Sequence, residues 1–460
     1  MAPVELDFDS CYRAVSARDA RFDGRFYTAV KTTRIYCRPI CPARTPASRN
    51  VRFYRHAASA EAAGFRPCKR CRPELSPGDP GWDLRGDLIG RALRLIDDGA
   101  ADDTGVAGLA RRLHITERHL HRLFVTELGV GPLAVARTRR LLLAKQLLTE
   151  TGLPVTEVAF AAGFGSVRQF NATMRETYGF TPSELRGTVG PLSESSAAGL
   201  RLRLHRREPY DVEGMFAFLA SRAIPGLESV DGLTYTRLVA GGTLTLTPGP
   251  GVFHLDVKLD DTRQLARVVA RCRRLLDLDA DPDAIASALG ATSLEPLVAA
   301  RPGLRVPGTF DGFELAVRAI VGQQISVAGA RTLLGRIVSR HGPLFPSAAV
   351  LAEADLDGLG FTTRRILTMK DLAERVADGR IDLDGGQEPG HAVAELLKVP
   401  GIGPWTAAYI GLRALRDPDA WPTGDLVLNK RMAALGIPAD HIERWRPWRA
   451  YAALHLWSSK

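Results

Sequence analysis

The chain has 460 residues, 45% hydrophobic and 24% charged, enough for about three domains with real cores. It has no run near the roughly 18 apolar residues of a membrane span, no apolar signal core in its acidic start MAPVELDFDS, and four of its six cysteines in one cluster. These exclude a membrane-spanning or disulfide-scaffold class and point to a reduced, cytoplasmic setting. The net charge of +10 is uneven: residues 1–190 hold 29 basic and 20 acidic side chains, the rest 32 and 31. Such an excess suits a polyanion partner, and any DNA binding by the C-terminal part must rest on a local patch.

The first predicted element is a cysteine module, with RIYCRPICPAR at 34–44 and GFRPCKRCRPE at 64–74. Cys37-x3-Cys41 and Cys68-x2-Cys71 put two thiols on each of two knuckles, a donor set for one tetrahedral Zn²⁺. Four thiolates leave such a site net negative and electron-rich. Arg34, Arg38, Arg44, Arg49, Arg52, Arg66, Lys69, Arg70 and Arg72 surround it in sequence, a basic surface suited to phosphate. The spacing fits two roles equally: a closed structural zinc, or a thiolate that accepts an alkyl group from a DNA backbone. Methylating one ligand would remove a negative charge and so strengthen DNA binding.

Residues 8–75, above all FDGRFYTAVKTTRIYCRPICPAR and AAGFRPCKRCRPE, resemble the N-terminal module of the Ada family. The resemblance implies irreversible methyl transfer from DNA methylphosphotriesters to the first ligand, Cys37, with Cys41, Cys68 and Cys71 completing the zinc site. It also implies a methylated form that activates transcription, with promoter DNA and RNA polymerase as partners. The family's Pro-Cys-His-Arg motif is absent: PCKR at 67–70 holds a zinc ligand, so repair of O6-methylguanine is not expected. Cys11 and Cys272 stand apart and read as packing thiols.

Residues 72–86 and 186–199 read as linkers, rich in Pro and Gly or in small polar residues. Between them the periodicity is helical. In 105–129, Leu109, Leu113, Leu120, Leu123 and Phe124 recur at helical spacing, a break falls at His114-Ile115, and Thr116 caps a second helix. In 154–182 the plan returns, with Gly163-Phe164-Gly165 as turn and Ser166 as cap. Residues 132–150 form one connecting helix. Two helix-turn-helix units on a shared helix suit successive major grooves, with Arg118, His119, His121 and Arg122, and then Arg168, Gln169 and Asn171, facing DNA. Residues 88–186 resemble the DNA-binding domain of AraC-type regulators.

The last unit opens with alternating strands at 241–259. Its most informative stretch is LLKVPGIGPWTAAYIGLRAL, 396–415: a Gly hairpin entering a helix, whose free N–H groups suit a phosphate. Asp425 follows Trp405 by twenty residues, amid Trp405, Tyr409, Trp421, Trp445, Trp448 and Trp457. Beside such a hairpin, a carboxylate that would otherwise read as a cap becomes a catalytic candidate. Residues 200–460 resemble the AlkA-type 3-methyladenine glycosylases of the helix-hairpin-helix superfamily, also through REPYDVEGMFAFLASRA and WRPWRAYAALHLW.

That resemblance implies base flipping from double-stranded DNA, Asp425 as the catalytic carboxylate, and Phe218, Trp405, Tyr409 and Trp457 around the base. Gly401, Ile402 and Gly403 would hold the backbone, with a monovalent cation at the hairpin carbonyls. Trp405 stands where bifunctional members carry Lys, so hydrolysis without strand cleavage is expected; no cysteine run offers an iron–sulfur cluster. At Gly322-Gln323-Gln324-Ile325 the family's apolar wedge is missing, leaving Gln324 or Ile325 to fill the gap in the duplex. The expected fold is multidomain: a small α/β zinc module (1–75), an all-α double helix-turn-helix domain (86–187), and an α+β glycosylase with a β-containing subdomain (200–285) and a mainly α core (286–460). The leading reading is a monomeric alkylation-repair fusion on the nucleoid. The other is a damage-responsive regulator with structural zinc, whose glycosylase unit only recognises DNA.

Overall fold

The computed structural model describes residues 6–79, 88–187 and 199–459. Residues 1–5 of the acidic start, and parts of both expected linkers (80–86 and 188–198), lie outside them. The chain divides into two compact units. The first holds residues up to 79, 88–205 and 255–270; the second holds 206–254 and 271–459.

In the first unit, strands Tyr27–Val30 (β1), Ile35–Cys37 (β2), Val51–Tyr54 (β3) and Arg66–Pro67 (β4) form a sheet of order β3-β1-β2-β4. The β2–β4 pair is parallel, with Tyr36 opposite Pro67, and the Cys68 N–H donates to Tyr36 O at 2.9 Å. This register brings the two cysteine knuckles, some thirty residues apart, side by side.

The helical part repeats one plan. Thr116 Oγ1 accepts from His119 N at 3.2 Å and starts helix Glu117–Leu128; Ser166 Oγ accepts from Gln169 N at 3.1 Å and starts helix Val167–Tyr178. Both end on a left-handed glycine, Gly129 and Gly179. Leu120 and Phe124 in the first, and Phe170 and Met174 in the second, are fully buried, which turns the polar faces outward. Gly105, at φ 65°, breaks helix Ala100–Arg112.

Helix Pro132–Glu150 links the repeats and also carries the zinc module. Lys145, 2% exposed, donates from Nζ to Cys68 O at 3.0 Å and to Glu74 Oε2 at 2.6 Å. Arg72 reaches Thr149 Oγ1 at 2.7 Å and Glu150 Oε1 at 3.1 Å. Glu61 accepts from Tyr36 at 3.0 Å and from Thr138 on the linking helix at 2.6 Å. Burial pushes the Glu61 carboxyl up to about 7, against these hydrogen bonds. The folded state therefore holds this proton more tightly than the unfolded chain, and the group's contribution is lost as pH rises from about 4.5 to about 7. Glu61→Gln is expected to remove about 1 kcal/mol of that pH dependence between pH 6 and 8, read as denaturant midpoints of zinc-loaded protein at those two pH values relative to wild type.

In the second unit, strands Glu228–Asp231, Thr234–Val239 and Gly242–Gly249 form an antiparallel meander. From Pro282 to Ser458 the described elements are helical, the expected mainly α core. Its interior has two clusters. One centres on helix Gly312–Val321 and reaches Ile402 and Ile410; the other gathers Trp445, Trp448 and Tyr451 around helix Arg449–Ser458. Cys11 and Cys272 are buried in the packing, and burial raises both thiols, to about 11 and about 12.

Candidate metal centre and candidate active site

The Sγ atoms of Cys37, Cys41, Cys68 and Cys71 lie within 4.8 Å of one another. Two backbone N–H groups point at sulfur, Arg38 N to Cys71 Sγ and Arg70 N to Cys68 Sγ, each at 3.3 Å, as expected for electron-rich thiolates. Hydrogen bonding inside the cluster pushes the thiols apart: Cys41, first through Cys37, falls to about 7, while Cys37, first through Cys41, rises far above the normal thiol range. One ionised sulfur thus keeps a neighbour protonated. A shared cation is what lets all four ionise together, so the donor set fits Zn²⁺. Cys37 and Cys41 are half-buried, Cys68 and Cys71 buried.

The basic rim differs from expectation at two positions. Arg34, Arg44, Arg49, Arg52, Arg66, Lys69 and Arg70 are exposed. Arg38, 8% exposed, is instead held by Asp23 (Nε to Oδ1, 2.9 Å) and by Cys71 O. Arg72 is engaged with Glu74 and Glu150. Both neutralise internal carboxylates. Arg118, His119, Arg122, Arg168, Gln169 and Asn171 are all exposed on their helices.

In the second unit, a cavity of about 550 Å³ is lined by Phe218, Trp405, Tyr409, Asp425 and Trp457, among others. Trp405 and Tyr409 lie one turn apart on helix Pro404–Arg413 and stack at 5.3 Å with planes 8° apart; Trp457 meets Tyr409 at 6.4 Å and 64°. Asp425, 9% exposed, is the N-cap of helix Leu426–Ala434 and accepts from Leu428 N at 2.8 Å through Oδ1. The indole Nε1 of Trp405 donates to Oδ2 at 2.7 Å. The cap reading and the catalytic reading therefore describe one carboxylate, fixed from both sides at the cavity wall.

The hairpin follows helix Pro389–Leu396. Gly401 has φ 98°, and a Cβ there would lie 2.3 Å from Thr368 Oγ1, so only glycine fits. Thr368 Oγ1 donates to Pro400 O at 2.8 Å, and Gln323 Nε2 to Gly401 O and Thr406 Oγ1, each at 3.0 Å. Ile402 turns its side chain into the core, 5% exposed, leaving backbone for a ligand. Gln324 is exposed, with φ 57°, at the head of the next helix, and Ile325 packs against the core.

Comparison with known proteins spans the whole chain. Residues 10–74 match the profile of the metal binding domain of Ada, 109–188 a helix-turn-helix domain, and 201–311 the AlkA N-terminal domain. A Mycobacterium tuberculosis protein named "Probable bifunctional transcriptional activator/DNA repair enzyme AlkA" is 48% identical over 98% of this chain and 96% of its own length. The chain belongs to this bifunctional AlkA family. DNA-3-methyladenine glycosylase 2 of Escherichia coli is 35% identical over 55% of the chain and 95% of itself. The bifunctional transcriptional activator/DNA repair enzyme Ada of Escherichia coli is 38% identical over 39% of the chain and 49% of itself.

Sequence reasoning missed several residues at this AlkA-family site. Arg222 lies four residues after Phe218 and Arg413 four after Tyr409, and each guanidinium sits over a ring of the cavity. An aromatic followed at i+4 by Arg on one helix face was the available signal. Glu228, Arg237, Glu314 and Arg318 line the same cavity as a buried cluster, with Arg237 to Glu228 at 2.6 Å and Arg318 to Glu228 at 2.7 Å. Burial alone would raise the Glu228 carboxyl, yet Arg318 and Arg237 pull it down to about 2. No local pattern announces that set.

Proposed function

We propose that the second unit hydrolyses the N-glycosidic bond of alkylated purines flipped out of double-stranded DNA, and that the first unit carries a methyl acceptor beside a double helix-turn-helix reader. The observation that carries the glycosylase reading is Asp425, doubly hydrogen-bonded in a wall of aromatic rings. An N-alkylpurine is cationic, so it stacks well on Trp405, Tyr409 and Trp457 and leaves without further activation. As its bond to C1′ stretches, positive charge builds on the sugar, and a fixed carboxylate is the complementary charge. Water then adds to C1′. Trp405, which carries no amine, offers no route to a Schiff base. Loss of 3-methyladenine release in Asp425→Asn, with DNA binding retained, is the test.

Gln324 is the wedge in this reading, since it stands exposed in a left-handed turn while Ile325 is held by the core. The Gln323 amide ties that turn to the phosphate-binding hairpin, so flipping and backbone grip share one support. A monovalent cation at the hairpin would share the Pro400 and Gly401 carbonyls with these donors. Gln324→Ala is expected to slow single-turnover base release about tenfold, because an unfilled stack lets the base return. Ile325→Ala should instead lower stability, read as Tm, by opening the core.

At the metal centre, zinc would keep the four sulfurs ionised at neutral pH. Cys37, half-buried at the end of β2, takes the methyl group: its Sγ attacks the methyl carbon, the C–O bond breaks, and the phosphodiester leaves as an anion. The exposed Arg34, Arg44, Arg66, Lys69 and Arg70 hold the backbone, and the methylated form reads promoter DNA through helices Glu117–Leu128 and Val167–Tyr178 to recruit RNA polymerase. The protein acts as a monomer on chromosomal DNA in the cytoplasm.

A further inference from the structure

Gln324 by itself fills the gap in a duplex incompletely. Drawing a base out of the stack bares the apolar faces of the base pairs on either side, and a polar amide covers such faces poorly. The second unit carries an apolar side chain suited to that task. Leu426, directly after Asp425, is 83% exposed, the highest value for any large apolar side chain among the described residues. Val427 beside it is 51% exposed.

Single exposed leucines are ordinary, but the placement of this one is not. Helix Leu426–Ala434 turns Leu428 and Met432 into the core, so Leu426 heads its solvent face. The bonds from Leu428 N and the Trp405 indole to Asp425 fix the first turn, and with it the Leu426 backbone at the rim of the cavity. One turn along the same face stands Lys430, exposed, a cation placed to meet phosphate beside an inserted apolar tip. Gly322, Ile325 and Val327 line the cavity from the other side, with Gln324 exposed among them. The two lips are tied together: Gln323 Nε2 donates to Thr406 Oγ1, and the adjacent Trp405 donates to Asp425.

We propose that Leu426 is the apolar half of a two-part wedge. As the base enters the cavity, Leu426 packs against the bared faces of its neighbours on the lesion strand, while Gln324 meets the polar edge of the base left unpaired. The chemistry of the two side chains sets the roles. An amide carries a donor and an acceptor and can pair with the edge of any unpaired base. The isobutyl group makes no hydrogen bond and supplies surface for stacked rings.

The inference rests on the glycosylase reading, and two measurements keep their failures apart. Full-length zinc-loaded protein is bound to a duplex holding a stable abasic analogue beside 2-aminopurine, whose fluorescence reports stacking without any chemistry. Single-turnover release is followed separately on a duplex bearing one N7-methylguanine. Leu426→Asn keeps the size and removes the apolar surface; Leu426→Met keeps the surface. Leu426→Asn is expected to slow release about tenfold and to move the 2-aminopurine signal of the complex toward that of free duplex. Leu426→Met should match wild type in both, and Tm should be the same in all three, because so exposed a side chain supports no packing. Wild-type release and signal in Leu426→Asn would overturn the wedge and leave the leucine as plain surface. Slower release with an unaltered signal would also overturn it, making Leu426 a support for Asp425 alone, and a fall in Tm would make it structural. Wild-type protein that releases no base would sink the glycosylase reading, while a 2-aminopurine signal that depends on Leu426 would still uphold the wedge.

Discussion

Asp425→Asn should lower base release by about 10²–10³-fold, the range for removing one preorganised electrostatic partner of a transition state. The geometry makes the substitution a clean one. Asparagine is as good an N-cap as aspartate, so the bond from Leu428 N to Oδ1 can persist and helix Leu426–Ala434 should keep its start. What is lost is the negative charge and the acceptor for Trp405 Nε1, which holds Oδ2 at 2.7 Å. Binding to lesion-bearing duplex, read by fluorescence anisotropy, should stay near wild type while single-turnover release collapses. An Asn variant that releases 3-methyladenine at the wild-type rate would remove Asp425 from the chemistry and leave it a cap.

Incubating zinc-loaded protein with DNA bearing methylphosphotriesters should put one methyl group on the Cys37 peptide and none on those of Cys41, Cys68 or Cys71, as read by mass spectrometry after digestion. Cys37→Ala should abolish the transfer altogether, since no other nucleophile replaces the missing sulfur. It also opens the ligand set, so metal content has to be measured in the same sample. A variant that keeps zinc and gains no methyl isolates the nucleophile, and transfer that persists, or appears on Cys41, would reassign the acceptor. Cys41 is the sharper rival because it too is half-buried. If no cysteine of the wild-type protein is methylated while zinc stays bound, the cluster is a structural staple.

What the sequence could reveal was what is encoded locally. Thr116 and Ser166 announced two helix starts because a cap and its acceptor lie three residues apart, and the Gly401 hairpin shows itself through a backbone only glycine can follow. The pairing of Trp405 with Asp425 was half legible, twenty residues apart across a single loop. Arg237, Glu314 and Arg318 were not, since 77 residues separate Arg237 from its carboxylate partner Glu314 and nothing local distinguishes a buried arginine from a surface one. Arg38 and Arg72 misled for the same reason: composition counts their charge, and only the fold reveals that it is already met by Asp23, Glu74 and Glu150. That Gln324 is exposed while Ile325 packs on the core is set by backbone conformation and packing, which no local pattern announces.

Lys145 has a consequence for how such a fusion can be taken apart. Its ammonium is shared by the carbonyl of a zinc ligand and by Glu74, and it sits on the helix that spaces the two DNA readers. A cut after residue 75, where composition invites one, would sever no covalent element of either part. It would nonetheless strand an ammonium in one fragment and a carboxylate in the other, each shaped to be dry. The zinc module and the linking helix thus share one buried ion pair, so stripping metal from the four sulfurs is expected to be felt on the helix between the two helix-turn-helix units.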